Sequence, residues 1–315
     1  MATPTSPTTP PAGLIIELVT PLTPRGRLDG DSLARLVRRL RPHADGLLAA
    51  SPVAGEGLAL PPDLRLELLS RLLDLVPGHP LFFAITADTT AETLALAESA
   101  AKEYRRRSEA GPLWLADLPL WYHSNRGLPG HLGEVTAAAG LPLVVLNLPE
   151  VVRVRAAILK HRNLRTQVVK KLSTLAEIVG LIYQGEMRRF LNYHLAAIVR
   201  PDFAFYEADE IRFLTRPGAW GVVSPGALLM PETWQRVSRA CLHPEEEADD
   251  FAGRRALMSD SQRLQALTGL YQHAPAALLK AALVARGILK SDALAPGTPL
   301  PPGARKQQIL AFNAH

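Results

Sequence analysis

Lys170-Lys171-Leu172-Ser173-Thr174-Leu175-Ala176-Glu177-Ile178-Val179-Gly180-Leu181-Ile182-Tyr183 reads as the end of an amphipathic helix, a short turn and a buried strand. The strand half carries no polar alternation, which is the pattern of a parallel sheet covered on both faces. The same unit recurs along the chain. Apolar runs at 14–19, 46–50, 81–85, 113–118, Leu143–Asn147, 203–206 and Gly221–Ser224 alternate with amphipathic stretches such as 32–40, 64–75, 91–104, 166–175 and 187–199. Together with Ile178–Tyr183 they make eight strand–helix units, which predicts an α/β fold of the (β/α)8 barrel kind. A doubly wound sheet is the rival, but no G-x-G-x-x-G follows the first strand, so a dinucleotide crevice has no support.

After Ser224 the alternation stops. Residues 231–242, 250–270 and 274–283 read as successive helices, so residues 231–315 are expected to form a C-terminal helical extension packed on a barrel of residues 13–230. Residues 1–12, rich in Pro and Thr, read as a disordered tail with neither the basic nor the apolar region of a secretory signal. The acidic run 245–250 reads as a solvated helix junction. At 315 residues and 47% hydrophobic the chain suffices for one such barrel. No apolar run is long enough to span a bilayer, so no membrane partner is expected. The single cysteine, Cys241, excludes an intramolecular disulfide and a cysteine-rich metal site, and fits a reduced cytoplasmic setting. The net charge is +5, with arginines gathered at Arg35, Arg38, Arg39 and Arg41 and at Arg105, Arg106 and Arg107. These read as solvated helix faces. Without a binding motif or aromatic platform, no nucleic-acid partner is expected.

Five further segments occur in a telling order. They are Val19-Thr20-Pro21-Leu22 with Gly26-Arg27-Leu28-Asp29, then Pro52-Val53-Ala54-Gly55-Glu56, then 83–92, then 141–149, and finally 218–224. In sequence and spacing, from Gly13 to about Leu289, the chain resembles the dihydrodipicolinate synthase / N-acetylneuraminate lyase family. That resemblance implies a TIM barrel, a homo-oligomer (dimer or tetramer) and class I aldolase chemistry. In such chemistry a lysine amine forms an imine with pyruvate or another α-keto acid, and tyrosine and threonine hydroxyls relay protons.

Carried over position by position, the site departs from that pattern. The lysine falls at Ile182, the strand-five tyrosine at Leu146, and the paired threonines after strand two at Val53 and Ala54. The relay tyrosine falls at Trp121 or Tyr122, the carboxylate-gripping arginine near Val151, and the strand-seven glycine at Tyr206. Gly55, Glu56, Asn147 and Pro149 match, and in the family these mainly shape backbone. None of the seven lysines (Lys102, Lys160, Lys170, Lys171, Lys280, Lys290 and Lys306) lies at the C-terminal end of a predicted strand, where barrel catalysis occurs.

Three functions stay open on these residues. The first is a barrel without its family's aldolase or lyase chemistry, retaining small-molecule binding or an assembly role. Its mouth would be lined by Val53, Trp121, Leu146, Ile182 and Tyr206. The second is a lysine-independent enzyme built on Glu17 with Glu56 or a carboxylate after strand seven (Glu207, Asp209, Glu210). The third is a keto-acid lyase with a displaced lysine. Glu17 interrupts a strand buried on both faces, so it needs a partner or a raised pKa. Glu56 is expected to cap backbone. A metal site joining Glu17, His123 and the strand-seven carboxylates lacks ligand spacing, and neither metal nor cofactor is expected. The Trp114, Trp121 and Tyr122 group reads as rim packing.

Overall fold

The computed structural model describes residues 9–155, 161–246 and 251–313. Among these, eight strands pair in parallel and in chain order: β1 (Gly13–Glu17), β2 (Gly46–Ala49), β3 (Leu81–Ala84), β4 (Leu113–Asp117), β5 (Leu143–Asn147), β6 (Ile178–Tyr183), β7 (Ala204–Glu207) and β8 (Gly221–Ser224). β8 closes on β1, so the barrel has no open edge. The intervening helices are α1 (Gly30–Leu40), α2 (Pro62–Leu75), α3 (Thr90–Arg105), α4 (Leu128–Ala139), α5 (Pro149–Val152), α6 (Thr166–Leu172), α7 (Met187–Ala196) and α8 (Glu210–Thr215). After β8 come α9 (Pro231–Leu242), α10 (Phe251–Tyr271), α11 (Pro275–Ala285) and α12 (Gly303–Asn313). The chain is thus a (β/α)8 barrel with a C-terminal helical part.

Local chemistry sets the helix boundaries. Asp29 caps α1 by accepting from Ser32 N at 3.1 Å, and Thr89 caps α3 by accepting from Glu92 N at 3.2 Å. The Thr89 hydroxyl in turn donates to the Glu92 carboxylate at 2.9 Å, which holds the cap in place. α6 and α7 stop at Leu172 and Ala196, short of the expected 175 and 199. Beyond α7, the Arg200 guanidinium donates to the carbonyls of Ala176 (2.9 Å) and Ile178 (2.8 Å), gathering the turn between α6 and β6. Arginines read as solvated serve the same purpose. Arg39 donates to the carbonyls of Leu228 (2.6 Å) and Leu229 (3.0 Å), and Arg107 is ion-paired with Asp74 and Glu103.

Inside the barrel, side chains alternate between core and outer layer along each strand. Phe82 stacks on Trp114 (ring centroids 5.2 Å apart) and meets Tyr206 edge-on (5.9 Å). The Tyr206 hydroxyl donates to the Pro11 carbonyl, and Trp220 Nε1 donates to the Pro10 carbonyl at 3.2 Å. These aromatics plug the N-terminal end of the barrel. Two expectations are corrected here. Tyr206 and Trp114 belong to this floor, not to the mouth or rim. Pro10 and Pro11 of the expected tail are held against the floor, and residues 1–8 of it lie outside the described residues. Most of the acidic run and Lys160 also lie outside them. No described helix is long and apolar enough to cross a membrane.

A buried ion pair helps fasten the C-terminal part to the barrel. Lys280 of α11 is fully buried and paired with Glu56, in the loop after β2, and its Nζ donates to the Ala293 carbonyl at 2.8 Å. Glu56 also accepts from Ala295 N (2.8 Å) and Thr298 Oγ1 (2.9 Å). Removing one member of a buried pair leaves the other charge uncompensated, at a cost of about 3–5 kcal/mol. Lys280→Met is expected to lower the denaturant midpoint accordingly. Glu56→Gln added to Lys280→Met should recover part of the loss. Additive losses would show that the pair is not coupled.

Candidate functional site

The C-terminal ends of the strands enclose a cavity of about 110 Å3. Glu17 enters from β1, Ser51, Pro52 and Val53 from the loop after β2, Leu146 from β5, Ile182 and Gln184 from β6 and its end, and Val223 from β8. Ala208, Asp209 and Glu210 follow β7, and Thr268, Tyr271, Gln272 and Pro275 of the C-terminal helices cover the opening. Strand register brings the aliphatic wall together. Leu146 is the register partner of Ile182, so the two stand side by side on the same face of the sheet, and both line the cavity.

Glu17 is the polar centre of this wall. It is 5% exposed and accepts from the Ser51 hydroxyl and from Ala54 N (2.8 Å). Burial raises its pKa, and these two donors offset the rise in part. The expected partner is therefore a hydroxyl and an amide, not a cation. Glu210 stands on the other side. Its carboxylate accepts from Ser224 Oγ, Gly226 N (3.0 Å), Tyr271 Oη and Thr268 Oγ1 (3.3 Å). Burial nonetheless pushes its pKa up to about 7 against those four donors. Tyr271 lies within the field of both carboxylates, and burial together with Glu210 raises its own pKa.

Of the other residues singled out in the sequence, Val53, Leu146 and Ile182 line the cavity, and Ala54 contributes its backbone donor. Glu56 faces the C-terminal segment and Lys280 instead of the cavity, so its partner is a distant stretch of chain in addition to any local cap. Asn147 points outward, its side chain donating to Tyr193 Oη at 3.0 Å, and Val151 packs on the core outside the cavity. Trp121 Nε1 donates to Asp88 at 3.0 Å. The Tyr122 hydroxyl donates to Asp117 at 2.7 Å and lies 2.8 Å from His131 Nε2, in the layer between barrel and helices. Neither Trp121 nor Tyr122 lines the cavity.

The three carboxylates after β7 part company. Glu207 is ion-paired with Arg212 outside the barrel, Asp209 caps α8 through Arg212 N (3.0 Å), and only Glu210 turns back to meet Tyr271. Among the described residues no group of three His, Cys, Asp or Glu could hold a metal ion. Ser51, Thr268, Tyr271 and Gln184 were not singled out. Tyr271 sits 61 residues from Glu210, and no local pattern joins them.

The Dihydrodipicolinate synthetase family model matches residues 10–311. The chain belongs to this family. It is 26% identical over 242 residues to a 4-hydroxy-tetrahydrodipicolinate synthase of Pseudomonas aeruginosa, covering 75% of this chain and 77% of that one. It is 27% identical over 286 residues to the synthase of Pseudoalteromonas atlantica, covering 89% of each. Among solved structures, the dihydrodipicolinate synthase of Thermotoga maritima superposes with a TM-score of 0.79 at 19% identity, over 96% of this chain and 97% of that one. The structural likeness speaks for the fold alone.

Raised carboxylate pKa values give stability a definite pH dependence. Below about 4.5 the carboxyl of Glu210 is protonated folded or unfolded, and its contribution is intact. As pH rises toward 7 the unfolded state ionises first, and on the order of 3 kcal/mol is lost. Burial gives Glu17 the same sign. Glu17→Gln and Glu210→Gln should each flatten this slope. Thermal melts from pH 4 to 8 should show Tm at pH 8 unchanged or raised. A lower Tm at pH 8 would mark the carboxylate as a structural acceptor.

Proposed function

We propose that this family barrel has left Schiff-base chemistry and binds a small molecule at its mouth without forming an imine. Ile182 in the cavity wall carries this reading. It stands where the family resemblance calls for the lysine, and among the described residues no lysine lines the cavity. Lys280 is engaged with Glu56, and Lys102, Lys170, Lys171, Lys290 and Lys306 are exposed on the outer surface. At two positions where the family resemblance calls for relay hydroxyls, the wall carries Val53 and Leu146. The relatives' names describe synthases. Their reaction does not follow for a chain with an isoleucine at that position.

A second reading, acid–base catalysis without lysine, is favoured by one feature. Glu17 and Glu210 line the same cavity, and burial raises both carboxyls above their ordinary range, Glu210 to about 7, where it can give or take a proton near neutral pH. Glu56, turned away toward Lys280, takes no part in it. A cytoplasmic setting accompanies either reading, supported by the lone Cys241.

Assembly is the other part of the proposal. Leu191, Leu195, Ile198 and Val199, at α7 and the turn after it, are 55–71% exposed and form an apolar face beside Thr166 and Lys170. Clustered exposed apolar side chains of this kind mark interaction surfaces.

Incubation with pyruvate and borohydride is expected to add no mass to the protein, and a stoichiometric adduct on any lysine would overturn the imine-free reading. Light scattering at micromolar concentration is expected to give a homodimer or larger. A strictly monomeric mass would remove the assembly role.

A further inference from the structure

The cavity is acidic, and within its wall that acidity is unanswered: none of the lining residues is Lys, Arg or His. Its two buried carboxylates differ in one respect. Glu210 is saturated, with Oε1 taking Ser224 and Gly226 and Oε2 taking Thr268 and Tyr271. Glu17 is not. Both hydrogen bonds it receives, from Ser51 and Ala54, end on Oε1. Oε2 accepts none from the described residues, although the residue is only 5% exposed and lines the cavity. Oε2 is therefore the carboxylate oxygen left open toward the cavity, where an occupant can donate to it.

The chemistry of that occupant follows from sign, size and wall. An anion is disfavoured, because Glu17, Asp209 and Glu210 line the cavity and no described cation does. About 110 Å3 holds three or four waters at about 30 Å3 each, so the occupant has only a few non-hydrogen atoms. Leu146, Ile182, Val53 and Val223 offer methyl groups opposite Glu17, which suits methylene carbons. We propose that the mouth binds a small primary alkylammonium compound, its ammonium on Glu17 Oε2 and its short carbon chain against Leu146 and Ile182. This rests on the imine-free reading above and reverses the ligand charge that a keto-acid site requires.

The test uses the full chain and ligand-observed NMR with titration calorimetry. The probes are propylammonium, ethanolammonium and 1,3-diaminopropane, set against pyruvate, propionate, 1-propanol and potassium chloride. The ammonium compounds are expected to bind saturably and the others not. A charge-assisted hydrogen bond contributes about 1.5–3 kcal/mol, so Glu17→Gln should weaken binding about tenfold or more while the protein stays folded in the melts described above. Leu146→Phe, which fills the wall without touching the charge, should also weaken it. Propionate or pyruvate binding as well as propylammonium, without a borohydride-stable adduct, would overturn the ammonium assignment and leave the imine-free reading standing. A trapped adduct would overturn both. Saturation by potassium chloride alone, unchanged affinity in Glu17→Gln, or no saturable binding by any probe would each overturn the ammonium assignment.

Discussion

A carboxylate walled into a barrel must be given donors, a counter-charge or a proton, and most of what is particular to this molecule follows from how Glu17 is served. Its donors come from the loop after β2, where Ser51 supplies a hydroxyl and Ala54 an amide. To present both inward, the loop turns tightly. Ala50 and Glu56 adopt the left-handed region with φ of 53° and 57°, which is unfavourable for residues with a Cβ. At Gly57 a Cβ would fall 1.7 Å from the Ala50 carbonyl oxygen, so no larger residue fits without moving backbone. The far end of this loop is pinned by Glu56 to Lys280, Ala295 and Thr298. A chain of contacts therefore runs from the C-terminal segment, through a strained loop, to the carboxylate in the cavity. Strain of this sort persists where surrounding structure over-determines it.

The same scaffold explains how a family barrel can keep its shape while its chemistry is open to change. The strands bury both faces, and the wall at Leu146 and Ile182 is filled by aliphatic side chains that stabilise by burial alone, about 1.5–3 kcal/mol each. An isoleucine in this wall carries no charge that would be costly to bury. The polar groups at the mouth lie elsewhere, on β1 and after β7, and α10 of the C-terminal part closes over them with Tyr271 and Thr268. Fold and site are separable here, as they are in barrels generally.

The sequence by itself determined the architecture. Runs such as Ile178–Tyr183 and Leu143–Asn147 are apolar on both faces and end where the strands end, because a strand covered by helices outside and packed inside tolerates little else. It also marked Glu17 as anomalous, and its resemblance to the family placed Val53, Leu146 and Ile182 together at the mouth. Tertiary structure alone decided the rest. Tyr206 is inward-facing like Ile182, but β7 is paired so that it reaches the floor beside Pro11, and Ala208, two residues on, is what meets the cavity. Glu207, Asp209 and Glu210 look alike in sequence and go to an ion pair, a helix cap and the cavity. Which one turns inward depends on where Arg212 and Tyr271 stand in space. Glu56 reads as a local cap, yet its partners lie more than 200 residues away. Burial and hydrogen bonding across such separations are properties of the closed fold, and no periodicity in the chain encodes them.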